Sequence, residues 1–313
     1  MSAAEHLPLG EGREFDAVRA MLQVWGARAQ GIGDDAAVLD LPAGQRLVAS
    51  TDASVEGVHF RREWLTPEEI GSRAATAALS DLAAMGALPL GLLLALAVPA
   101  DWSGALVALA RGVGESAAAA GCPIVGGNVS RARELSLTVT VLGRVGEPLT
   151  RGGLRAGDAL YLTGRLGGPR AAVRAWMEGS TPRQEHRARF AAPRARIAEA
   201  RWLADAGCHA AIDVSDGLLA DAAHLAVASG VQIHLDLGVL PCVKGVTVEE
   251  AAAGGEEYEL LVAAPARCAI DAEQFERRFG LPLTQIGSAR EGSGVHVASG
   301  ARVDQLRGHD HLS

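Results

Sequence analysis

A two-domain α/β chain, α+β in the order of its segments, is predicted by three observations. Residues 135–142 alternate apolar and polar side chains without a break, the period of a half-buried strand. Thr66, Pro67, Glu68 and Glu69 form a capping box with proline at the first helical position, opening a helix that runs to about Met85 and closes at Gly86. In the second half a strand over 210–213, a turn over 214–217 and a helix over 218–228 follow one another directly. Strands and helices with short connections in both halves place mixed layers in each. Between them, residues 143–157 are rich in glycine and arginine, contain Pro148 and show no apolar period. The boundary is set there, giving domains 1–146 and 147–313.

The remaining elements follow in order. Residues 47–52 read as a strand that delivers Asp52 at its end. On the helix after Thr66, counting by threes and fours from Ile70 reaches Ala74, Ala78, Asp81 and Met85, so Asp81 stands on an apolar face, where a lone charge is costly. The apolar run 88–99 is interrupted by Pro89 and Gly91 and is too short to span a bilayer. An alanine-rich helix over 102–120 precedes Ile124 and Val125, which lead into Gly126, Gly127 and Asn128. Residues 158–163 form a strand ended by Gly164, followed by a glycine-rich turn and an arginine-rich helical region. Residues 232–237 and 258–263 are further strands.

Composition narrows the function classes. With 313 residues, 49% hydrophobic and 21% charged, the chain can bury two full cores. A net charge of −8 argues against a nucleic-acid surface. The N-terminus lacks the basic start and apolar core of a signal peptide, and four widely spaced cysteines suggest neither a zinc ribbon nor a disulfide framework. A cytoplasmic protein without membrane contact is expected. Lys244 is the only lysine among 29 basic residues, and no G-x-x-x-x-G-K-[ST] occurs. Any phosphate chemistry therefore falls to metals and arginine.

Six aspartates mark the sharp transitions: Asp34 and Asp35 in G-I-G-D-D-A, Asp52 in S-T-D, Asp81 in L-S-D-L-A-A-M-G-A, and Asp213 and Asp216 in I-D-V-S-D-G. Two carboxylates at about 4 Å repel by roughly 4 kcal/mol at an effective dielectric near 20. A fold that gathers several of them needs cations, and the hard, oxygen-seeking cation that works on phosphates is Mg²⁺. Singly, each motif has a plainer reading: a surface turn, a strand cap, or an N-cap with its glycine. Asp81 is the exception, because the plain reading requires a buried partner. Asp213 and Asp216 bracket a helix N-terminus, which favours phosphate oxygens and their metals. His59 alone reads as structural, and Arg151, in T-R-G-G, as a solvated linker residue or a charge at a hinge.

The order and wording of these segments resemble the thiamine-monophosphate kinase family, within the aminoimidazole ribonucleotide synthetase-like superfamily. The matching stretches are G-I-G-D-D-A, S-T-D-A-S-V-E-G-V-H-F, S-D-L-A-A-M-G-A-L-P, V-G-G-N-V-S-R, R-G-G-L-R-A-G-D, A-I-D-V-S-D-G-L-L-A-D, G-G-E-E-Y-E-L-L and G-H-D-H-L. The resemblance implies two α/β domains and a homodimer whose N-terminal mixed sheets join across the axis. It implies ATP- and Mg²⁺-dependent phosphorylation of thiamine monophosphate to thiamine diphosphate. Asp34, Asp52, Asp81, Asp213 and Asp216 match positions that hold several Mg²⁺ ions, with Ser50, Thr51 and Asn128 contributing. Ser50, Thr51, Gly127, Arg151 and Ser215 match ATP-contacting positions, Arg151 and Asp216 catalytic ones, and His59, Glu256 and Leu312 substrate-contacting ones. The chain departs from the family pattern at three places: Asn128 replaces a metal-binding aspartate, Ala110 an aromatic near the nucleotide, and Leu312 a terminal aromatic near the substrate. Two alternatives stay open. One is a superfamily relative with another acceptor, disfavoured because no cysteine precedes Cys122 and none ends the chain. The other is a nucleotide-binding regulator without catalysis, disfavoured by the retained aspartates.

Overall fold

In the computed structural model, residues 6, 12–33, 36–268 and 270–298 are described. Asp34 and Leu312 lie outside the described residues. The chain divides into two compact units, one of residues 1–82, 88–147 and 191–194, the other of residues 83–87, 148–190 and 195–313.

The first unit is built on a four-stranded mixed sheet. Its elements are α1 (Arg13–Trp25), β1 (Arg46–Val55), α2 (Pro67–Ala84), β2 (Leu88–Val98), α3 (Leu106–Ala119), β3 (Ile124–Arg131) and β4 (Ser136–Val145). The sheet order is β1-β4-β2-β3, with β4 antiparallel to both neighbours and β3 parallel to β2. Along β1, Val48, Ser50 and Asp52 turn inward while Leu47, Ala49, Thr51 and Ala53 are exposed. On β4 the inward positions Val139 and Val141 are fully buried. Burial of this kind stabilises by about 1.5–3 kcal/mol per large apolar side chain. The capping box forms as expected, Thr66 N–H donating to Glu69 Oε2 at 2.9 Å and Glu69 N–H to Thr66 Oγ1 at 3.3 Å. From Ile70 onward α2 is buried on nearly every side, interrupted at Ser72 and Asp81. It lies against α3 so closely that a Cβ on Gly71 would overlap the carbonyl of Leu109, and one on Gly112 the carbonyl of Glu68.

Three segments differ from the sequence expectation. Strand β1 runs on through Val55, because Ala53, Ser54 and Val55 keep the alternation and pair with Thr138, Leu137 and Ser136. The helix expected from residue 102 starts instead with 3₁₀ turns over Ala100–Ala105. Gly126, Gly127 and Asn128, given no element by the sequence, lie within β3; a Cβ at Gly127 would strike the main chain of Leu94, so glycine permits the close pairing there.

The second unit contains β5 (Asp158–Thr163), α4 (Gly168–Met177), α5 (Gln184–Ala191), α6 (Ile197–Asp205), β6 (Ala210–Asp213), α7 (Leu218–Ser229), β7 (Gln232–Asp236), α8 (Val248–Ala253), β8 (Leu260–Pro265), α9 (Ala272–Phe279), β9 (Leu283–Arg290) and β10 (Gly294–Ala298). Its six strands run β10-β7-β9-β5-β8-β6, antiparallel throughout except β10 beside β7. Leu160, Leu162, Ile212, Leu225 and Leu261 form the centre of its core. No described helix is long and apolar enough to cross a membrane. Strand β8 begins at Leu260, two residues later than expected, because Tyr258 adopts a left-handed φ of 54° that no strand accommodates.

Candidate functional site

In the first unit the acidic residues and their partners are sorted by the pleat of the sheet. Ser50 and Asp52 lie on the helix-covered face, two residues apart, so their side chains point the same way. Ser50 Oγ donates to Asp81 Oδ2 at 2.5 Å, the short distance of a hydroxyl bound to a carboxylate. Asp81 is thus the partly buried charge its helix face required, and the partner is a strand hydroxyl. Thr51 points to the opposite face, where its Oγ1 meets Thr140 Oγ1 at 3.0 Å. Asn128 shares that second face: the cross-strand row runs Ala53, Thr138, Ala95, Asn128. A cavity of about 270 Å³ opens there, lined by Gly31, Ile32, Gly33, Gly127, Asn128 and Thr140 among others. His59 closes a local turn, its Nδ1 accepting from Val55 N–H at 3.1 Å.

In the second unit the site is a turn held by main chain. Strand β6 ends at Asp213, 3% exposed, and the chain turns through Val214, Ser215, Asp216 and Gly217 into α7. Residues 254–259 lie along that turn and bond to it: Glu256 N–H to Ser215 O at 2.7 Å, Tyr258 N–H to Val214 O at 2.9 Å, and Val214 N–H to Glu259 O at 2.7 Å. Among the described residues, Glu256 and Tyr258 are the non-glycine residues with positive φ, 67° and 54°, and Tyr258 Oη donates to Glu256 Oε2 at 2.5 Å. Such backbone costs on the order of 1–3 kcal/mol each and persists where surrounding bonds impose it. Glu259 is anchored by Arg196, which donates from Nε at 2.9 Å and Nη2 at 2.6 Å, and by Thr163 Oγ1 at 2.7 Å. Burial opposes the Arg196 charge, but Glu259 and Glu199 outweigh it and raise its pKa. Burial pushes the Glu257 carboxyl well above the usual carboxylate range, against the opposing N–H of Gly167, which reaches its Oε1 at 2.5 Å. Arg151 opens a 3₁₀ turn and is exposed.

One residue of this turn escaped the sequence reading. Asp221, 2% exposed, accepts with a single oxygen from the N–H groups of Ser215, Asp216 and Gly217 at 3.1, 3.2 and 3.1 Å. Burial and the nearby Asp213 and Asp216 push its pKa up to about 8, against the N–H donors that favour the carboxylate. The signal was present in D-G-L-L-A-D, where an acidic residue falls on the side of the helix that also carries Leu218, Ala222 and Leu225.

Against known proteins, residues 33–145 match the AIR synthase related protein N-terminal domain and residues 155–299 the corresponding C-terminal domain. The thiamine-monophosphate kinase of Methanopyrus kandleri is 36% identical over 290 residues, 89% of each chain. The chain belongs to the thiamine-monophosphate kinase family. A solved thiamine-monophosphate kinase from Stenotrophomonas maltophilia superposes with a TM-score of 0.82 at 35% identity, covering 89% of this chain and 95% of that one. A further family structure, AaThiL complexed with AMPPCP and TMP, superposes with a TM-score of 0.76 at 30% identity over 95% of both chains. Two α/β domains are therefore the architecture of this family member.

For this thiamine-monophosphate kinase family chain, the acidic positions divide between the units: Asp52 and Asp81 in the first, Asp213 and Asp216 in the second. Among the described residues no three His, Cys, Asp or Glu side chains stand together as a metal-holding group. Every candidate donor is an oxygen, the donor set that suits Mg²⁺ and disfavours softer metals.

Proposed function

We propose that this chain transfers the terminal phosphoryl group of ATP to thiamine monophosphate, giving ADP and thiamine diphosphate, with Mg²⁺ as the metal. The supporting observation is near-full-length likeness, at 30% identity or more, to thiamine-monophosphate kinases, one of them solved with AMPPCP and TMP. A phosphate oxygen of thiamine monophosphate attacks the terminal phosphorus of ATP, and the bond from that phosphorus to its bridging oxygen breaks to release ADP. The nucleophile is already anionic near neutral pH, so no strong general base is needed. Catalysis then rests on positioning and charge neutralisation. Arg151 supplies a fixed positive charge for the transferring phosphoryl group. Asp34, Asp52, Asp81, Asp213 and Asp216, with Ser50, would hold several Mg²⁺ ions, which supply neutralisation of the phosphates. Thr51 and Asn128, matched by the resemblance to metal positions, lie on the face opposite Asp52 and are assigned to the nucleotide instead, together with Gly127; Ser215 contacts it from the turn, and Asp216 serves in transfer. His59, Glu256 and Leu312 contact the thiamine end.

The domain roles follow: residues 1–146 bind metal and nucleotide and dimerise, and residues 147–313 complete the site. The working form is a cytoplasmic homodimer. The test is direct. Purified protein with ATP, Mg²⁺ and thiamine monophosphate should form ADP and thiamine diphosphate together, resolved by mass spectrometry, and EDTA should stop both. ADP without thiamine diphosphate would point to a relative with another acceptor.

A further inference from the structure

Helix α7 touches two turns that the proposed reaction uses, one at each end, and touches both through side chains that bond to main chain. At its start, Gly217 provides no side-chain cap. Asp221, inside the helix, instead reaches back and collects the N–H groups of Ser215, Asp216 and Gly217, which precede the helical residues. Its bonding therefore organises the turn rather than merely capping a helix. At the far end Ser229 Oγ donates to Arg151 O at 2.5 Å and accepts from Leu154 N–H at 3.1 Å. The hydroxyl thus grips the 3₁₀ turn of Arg151 on both sides. Twelve helical residues separate the ends by about 18 Å of rigid rod.

We propose that α7 is a positioning strut: Asp221 sets the turn carrying Asp213, Ser215 and Asp216, and Ser229 sets the turn carrying Arg151. Neither residue touches substrate. The oxygen of Asp221 that faces the turn is occupied by three donors, and the hydroxyl of Ser229 by two groups. The roles of Asp216 and Arg151 rest on the phosphotransfer reading above. The two ends predict different defects. Loss of the Asp221 acceptor leaves three N–H groups to re-aim the turn, so the fault appears in metal binding. Loss of the Ser229 hydroxyl frees the arginine turn, so the fault appears in turnover.

The experiment uses full-length protein and Mn²⁺ as the probe, its binding followed by electron paramagnetic resonance in the presence of AMPPCP, beside kcat and KM for ATP. Asp221→Leu, similar in shape but without an acceptor, should weaken Mn²⁺ on the order of 10- to 100-fold, the usual effect of removing a partner behind a metal ligand. Asp221→Asn keeps one acceptor oxygen and should recover most of that loss. Ser229→Ala should leave Mn²⁺ binding at the wild-type level and lower kcat on the order of tenfold, with Ser229→Thr recovering it. Wild-type Mn²⁺ binding by folded Asp221→Leu, or wild-type kcat in Ser229→Ala, overturns the proposal. Should Asp221→Leu fail to fold, Ser229→Ala and its threonine rescue decide alone. Failure of the wild-type protein to make thiamine diphosphate would strike the kinase reading instead, and the Mn²⁺ comparison would still test the turn.

Discussion

The turn through Val214, Ser215 and Asp216 and the strand through Ser50, Thr51 and Asp52 both present oxygen donors, but different bonds hold them. The turn is fixed by main chain: three N–H groups converge on Asp221, and residues 256–259 bond along it. The strand site is fixed by the pleat, and a side-chain bond between Ser50 and Asp81 reaches from strand to helix. A run of main-chain bonds closed on one buried acceptor leaves the turn little freedom to move. A side-chain bridge between two carboxylate-bearing elements responds to charge. The second unit therefore carries a preformed site and the first a charge-sensitive one.

The largest expected effect breaks the preformed frame. Glu259→Ala leaves the buried Arg196 guanidinium with Glu199 alone and frees the segment bonded to Val214, and should cost about 3–5 kcal/mol in denaturant unfolding. A loss below about 1 kcal/mol would show that the frame does not depend on this pair. Asp81→Asn probes the other side. The amide oxygen can still accept from Ser50 Oγ, so the melting midpoint should stay near wild type while kcat falls about 10²–10³-fold. Equal losses of stability and activity would make Asp81 a fold residue and erase the contrast.

Two smaller effects sharpen it. Because burial raises the Glu257 pKa in the fold, its contribution to stability is complete at low pH and is lost as pH rises through the folded value. Glu257→Gln, which keeps an acceptor for Gly167 N–H, should gain stability on wild type as pH rises from the usual carboxylate range toward neutral. A flat difference across that range would mean the carboxyl is ionised throughout. Asn128→Asp adds a charge to the cavity face, away from Asp52 and Asp81. The Mg²⁺ concentration for half-maximal activity should move by less than about threefold, under ~0.7 kcal/mol. A tenfold shift would put both faces on one set of cations.

What the sequence made legible followed from local rules. The Thr66 and Glu69 box, strand β5 and strand β6 stand where period and capping place them, since each signal lies within a few residues. The strand and helix around Ser50 and Asp81 were readable, and so was the need for a partner to Asp81. Which partner depended on the three-dimensional meeting of β1 and α2. The separation of Thr51 from Asp52 was implicit in strand alternation, but the S-T-D motif drew all three residues into one reading. Tyr258 read as strand because an aromatic before leucines fits a strand, whereas its hydrogen bond to Glu256 and the main-chain bonds to Val214 override that preference. Asp221 stands on the helix side of Leu218 and Leu225, which marks it as a buried acid, but its task of holding three amides of the preceding turn is visible only in three dimensions. Strands β9 and β10 show broken alternation, whereas α9 had a local signal in Phe275 and Phe279 four residues apart between Asp271 and Gly280.

The contact of α2 with α3 through Gly71 and Gly112 has a consequence for how this chain can change over generations. Each glycine is filled by a carbonyl of the opposite helix, so no exchange of volume between the two positions can compensate a substitution at either. An alanine at one site must push the helices apart or roll α2 about its axis. Ten residues along, at about 100° per residue, any such roll swings Asp81 away from Ser50. Two positions with no chemistry of their own should therefore be as intolerant of drift as the carboxylate they aim.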